Sequence, residues 1–99
     1  MTTPRPAVAL FVVIGVLAGC VSATDCAKAI PAQLRADAVR FVIDRRLAGE
    51  SLIPEDERIS AMSTGTPYRE MSQERRRLIA PYAAGYASCV SDLSSRSGE

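Results

Sequence analysis

The 99 residues contain no histidine and no tryptophan, a single lysine (Lys28), and three cysteines with no Cys-x-x-Cys spacing. Without histidine there is no Ser-His or Cys-His pair to activate a nucleophile, and the commonest nitrogen ligand for a metal is missing. Without paired cysteines, neither a zinc site nor a thioredoxin-type redox pair can be assembled. Nor is there a Gly-x-Ser-x-Gly elbow, a Ser-x-x-Lys pair or a glycine-rich phosphate loop. These absences read as a protein that is not an enzyme and carries no cofactor. A strong net charge is lacking too: twelve Lys and Arg stand against eleven Asp and Glu. That balance argues against nucleic acid as a partner.

What is present begins at the N-terminus. Residues 1–6 are a short polar lead with one cation, Arg5, and residues 7–19 are all apolar or glycine. The apolar run suits the hydrophobic region of a secretory signal peptide and falls short of the roughly 20 residues that span a bilayer as a helix. It closes on Leu17-Ala18-Gly19-Cys20. An aliphatic residue and two small residues before a cysteine resemble the lipobox of bacterial lipoproteins.

That resemblance, confined to residues 1–20, implies cleavage before Cys20, diacylation of its thiol, palmitate or a similar chain on the new amino end, and anchorage to the membrane through Cys20. Val21 after the cysteine, rather than aspartate, is the family pattern for outer-membrane sorting in a two-membraned host. Two alternatives remain at this point. Val21-Ser22-Ala23 is a small-x-small site that would release a soluble periplasmic protein beginning at Thr24, and the run could stay as an uncleaved anchor.

Cleavage before Cys20 leaves 80 residues, a size at which one hydrophobic core is marginal and a covalent staple is common. Either cleavage route removes Cys20 from thiol pairing. Cys26 and Cys89 then form an even pair in an exported, oxidising compartment and are expected to be joined as a disulfide. With Arg5 gone, eleven basic and eleven acidic side chains remain.

The mature chain reads as all-α: a small antiparallel helical hairpin of three to four helices tied by one disulfide. Residues 1–19 are assigned to the signal peptide, 20–30 to the lipidated cysteine and a tether, 31–93 to the helical domain, and 94–99 to a disordered tail. Leu34, Ala38, Phe41 and Val42 recur at helical spacing over residues 31–48, with Val39, Ile43 and Leu47 widening the apolar face. Arg35, Asp37, Arg40, Asp44 and Arg45 fall opposite, and Arg40 and Asp44 are spaced to pair. Pro54 followed by Glu55, Asp56 and Glu57 predicts a short helix to about Met62 that buries Ile59 and Met62. The last helix places Leu78, Tyr82, Tyr86 and Cys89 on one face, with Ile79, Ala83, Val90 and Leu93 beside them and the two tyrosines against Phe41. Pro81 inside it predicts a kink or a break, with Ala80 as the boundary.

Candidate site residues are few. Glu55, Asp56 and Glu57 are expected as acids at a helix N-terminus rather than a cation site, and Ser72 as a helix cap. Arg75, Arg76 and Arg77 are the candidate binding surface, for an acidic partner or for phosphate head groups. The expectation is therefore a small exported lipoprotein of the cell envelope that binds an envelope protein or cell-wall material. The alternatives are a periplasmic inhibitor or immunity protein that occludes a toxin or hydrolase, and a stress- or lysis-associated lipoprotein.

Overall fold

A computed structural model describes residues 22–97; the expected signal peptide and Cys20 lie outside them. Four α-helices are present among the described residues: α1 (Ala23–Lys28), α2 (Ala32–Arg45), α3 (Glu55–Thr64) and α4 (Gln73–Ser97). Single 3-10 turns at Glu50–Leu52 and Tyr68–Glu70 punctuate the connections on either side of α3. The domain is all-α, as its sequence pattern predicts.

Proline and serine set the helix starts. Ser22 caps α1, its N–H donating to Asp25 Oδ2 at 3.0 Å. Pro31 and Pro54 stand immediately before α2 and α3, one position ahead of the expected first helical turn, where an absent N–H costs nothing. Ser72 caps α4: its hydroxyl accepts the Arg75 N–H at 3.0 Å. α2 stops at Arg45, three residues short of its expected end. Arg46 takes the left-handed conformation (φ 54°) there, and Leu47 N–H reaches back to the Val42 carbonyl.

Cys26 meets Cys89 and Asp37 meets Arg75, so the chain from α1 through α2 runs antiparallel to α4. Between them lies the core. Ile30, Ala38, Val39 and Val42 face Ile79, Ala83, Tyr86 and Val90, each at most 2 % exposed. Burial on that scale stabilises by about 1.5–3 kcal/mol for each large aliphatic side chain.

Several expected faces are turned. On α4 the buried seam joins Tyr86 of the expected line to Ile79, Ala83 and Val90, expected beside it, while Leu78 is 48 % exposed. On α3 the inward residue is Ala61, while Ile59 and Met62 face solvent. On α3 the cause is close packing against α2: Ala61 is fully buried, and just past the helix a Cβ added at Gly65 would lie 2.6 Å from the Ala36 carbonyl oxygen and 3.0 Å from Arg40 Cβ.

Of the kink or break expected at Pro81, the break does not occur; α4 is one helix of 25 residues. Proline removes the hydrogen bond to the Arg77 carbonyl, but Pro81 and Arg77 are both exposed, so that carbonyl has water available. Packing of Ile79 and Ala83 on α2 then outweighs the local preference against helix at Ala80. At the two ends the ordered domain is longer than expected. α1, with Cys26 and Ala27 buried, occupies the stretch assigned to a tether, and α4 continues to Ser97.

Candidate binding surface

The expected pairing of Cys26 and Cys89 is present, with Cα atoms 5.8 Å apart, inside the range a disulfide needs. It fastens α1 to the C-terminal half of α4. That staple fixes one end of the domain, and the arginines gather at the other.

The three consecutive arginines at the start of α4 do not act as one surface. Arg75 turns inward, donating from Nε and Nη2 to Asp37 Oδ2 at 3.1 and 2.9 Å. Asp37 is 8 % exposed, although helical spacing set it on the solvent face. Its second oxygen accepts the Thr66 N–H at 2.8 Å, so the buried carboxylate is fully satisfied. Arg76 donates from Nε and Nη2 to the Tyr68 carbonyl at 3.1 and 2.9 Å and lies 4.1 Å from the centre of the Tyr68 ring. Arg77 alone is exposed. The helical wheel explains the split, since consecutive positions are rotated by about 100° and cannot face one way.

Tyr68 is the hub of this end. Its ring meets Phe41 edge to face, centroids 5.0 Å apart at 87°, and Arg45 lies over it at 4.7 Å. The ring partner of Phe41 is thus Tyr68, while Tyr82 and Tyr86 belong to the same apolar core as Phe41. The Tyr68 N–H donates to Asp44 Oδ2 at 2.9 Å, and Arg40 Nε sits 3.1 Å from both oxygens of the same carboxylate. Arg40, Asp44, Arg45, Pro67, Tyr68 and Arg69 line an open cleft of about 400 Å³. The loop aromatic at position 68, standing between two arginine-rich stretches, was the available sequence cue.

A second cleft, of about 420 Å³, lies between α2 and α3 and is lined in part by Arg35, Asp56 and Glu57. Glu57, expected as an exposed helix-start acid, points inward and accepts a hydrogen bond from the Tyr86 hydroxyl at 2.5 Å. Burial holds the Glu57 carboxyl above its ordinary range, against the opposing pull of the Tyr86 hydrogen bond. Burial first, and the Glu57 carboxylate next, push the Tyr86 phenol above its usual range as well. Arg35 donates from Nη2 to the Ile30 carbonyl at 2.7 Å, closing the turn between α1 and α2, while its Nε is buried without a partner. Among the described residues, no three His, Cys, Asp or Glu side chains converge as a metal site.

No family model matches the chain, and no curated protein or solved structure matches it either.

Proposed function

We propose that this chain is a small exported lipoprotein, anchored to the cell envelope through Cys20, whose helical domain works by binding and not by catalysis. The observation that carries the proposal is where α1 begins. The rival cleavage after Ala23 would fall inside α1, removing Ser22 and with it the capping bond to Asp25. That bond from the Ser22 N–H to the Asp25 carboxylate contributes about 1 kcal/mol, in a six-residue helix that has little to spare. Cleavage before Cys20 leaves the cap intact and sets the lipid two residues ahead of it.

Two further features support this reading. The Cys26–Cys89 disulfide suits an oxidising compartment. No helix among the described residues is long and apolar enough to cross a membrane, so anchorage of this domain would fall to the N-terminal region. Two or three acyl chains supply it, because each buried methylene contributes about 0.8 kcal/mol. The binding role is supported by the polar groups themselves: Glu57 is engaged by Tyr86, and Asp37 by Arg75, while Arg45 and Arg69 present donors outward.

Cell fractionation tests the anchor. The wild-type protein should sediment with membranes and resist high-salt extraction, and Cys20→Ser should abolish acyl labelling. Wild-type protein that appears in the soluble fraction with Thr24 as its first residue would refute the proposal.

A further inference from the structure

The end of the domain where α2 finishes and α4 begins holds donors that no intramolecular acceptor uses. We propose that the cleft between Arg45 and Arg69, floored by the Tyr68 ring, binds the carboxylate side chains of an acidic protein segment. The proposal deepens the binding role given above and rests on it.

Three cations and one anion line the cleft: Arg40, Arg45 and Arg69 against Asp44. The Asp44 carboxylate is already occupied by Arg40 and by the Tyr68 N–H, so it does not neutralise the other two arginines. The guanidinium groups of Arg45 and Arg69 take part in none of the side-chain hydrogen bonds or ion pairs among the described residues. Arg45 is nonetheless held, because its guanidinium lies 4.7 Å from the Tyr68 ring centre. The ring is fixed in turn by the edge contact with Phe41 and by Arg76 on its own carbonyl. Preorganised guanidinium groups lose little rotamer freedom when an oxyanion arrives, and their forked donors match a carboxylate.

With Arg40 spent on Asp44, two guanidinium groups stay free in the cleft, and successive carboxylates of an acidic segment supply one planar pair of oxygens for each. Arg76, which packs on Tyr68, lies thirteen residues from Cys89 along α4, or about 20 Å of helix, so the cleft stands at the end of the domain away from the disulfide that fastens α1. A lipid head group in place of the acidic segment is an outcome that the glycerol 3-phosphate arm below reads.

Calorimetric titration of the protein extracted from the envelope in neutral detergent tests the site. The probes are an oligoglutamate peptide, inorganic phosphate and glycerol 3-phosphate as a soluble head group. The peptide should bind more tightly than either phosphate. Arg69→Ala and Arg45→Ala should each weaken it about tenfold, the effect of one lost charge-assisted hydrogen bond. Arg69→Ala should leave the melting temperature unchanged, and Arg77→Ala, an exposed arginine outside the cleft, should leave the affinity nearly unchanged. Tighter binding of either phosphate, equal losses for Arg77→Ala, or no peptide binding would overturn the proposal. Intact mass of the same preparation reports lipidation separately, so failure of the anchor and failure of the cleft are distinguishable.

Discussion

Asp37 and Arg75 are 38 residues apart in sequence and joined in space, with Arg75 donating twice to one carboxylate oxygen while Thr66 holds the other. One side chain thus ties α2 to α4 and to the loop that follows α3. Asp37→Ala should destabilise the domain by about 3 kcal/mol, because it strands both an arginine and a backbone N–H. Arg75→Ala should cost about 2 kcal/mol, less because water reaches the arginine. Urea unfolding of both single variants and the double variant should give a coupling energy of at least about 1 kcal/mol. Strict additivity would show that the pair does not act as a unit.

Glu57 gives the domain a pH dependence with a definite sign. Its carboxyl is raised in the folded state by burial, so the folded protein holds that proton more tightly than the unfolded chain does. The contribution is fully present below the ordinary carboxyl value and is lost as pH rises through the raised one. Glu57→Gln cannot ionise and still offers an acceptor to Tyr86. Its stability relative to wild type should therefore improve between pH 4 and pH 7, as followed by thermal melts across that range. A constant difference would contradict the burial of Glu57.

Two glycines should respond in opposite directions to alanine. A Cβ at Gly85 meets nothing within 4 Å, so Gly85→Ala should stabilise α4 by about 0.5–1 kcal/mol through helix propensity alone. Gly65→Ala drives a methyl into the Ala36 carbonyl and Arg40, and should destabilise by about 1–3 kcal/mol. Chemical denaturation of the two variants side by side checks both signs.

The contrast shows what was legible beforehand. Helix number, the antiparallel course and the Cys26–Cys89 pairing followed from apolar spacing and cysteine parity. The inward residue of α3 did not, because reading by hydrophobicity favours Ile59 and Met62 over Ala61. Close packing made the opposite choice. Pro81 misled for a related reason: its local cost is real, but exposure of the Arg77 carbonyl made it bearable. Asp37 and Glu57 were hidden because their partners, Arg75 and Tyr86, lie 38 and 29 residues away, beyond any local pattern.

The disulfide closes nearly the whole domain. Replacing Cys26 and Cys89 together by serine should lower stability by about 4 kcal/mol on the chain-entropy estimate for a loop of this length. Melting with and without reductant measures it, and equal melting temperatures would show that the helices do not depend on the staple.

Intact mass of the protein extracted from envelope membranes tests the central claim most directly. The account predicts a chain beginning at Cys20, heavier by at least two acyl chains and lighter by two hydrogens for Cys26–Cys89. A mass that fits an unlipidated chain beginning at Thr24 would contradict it.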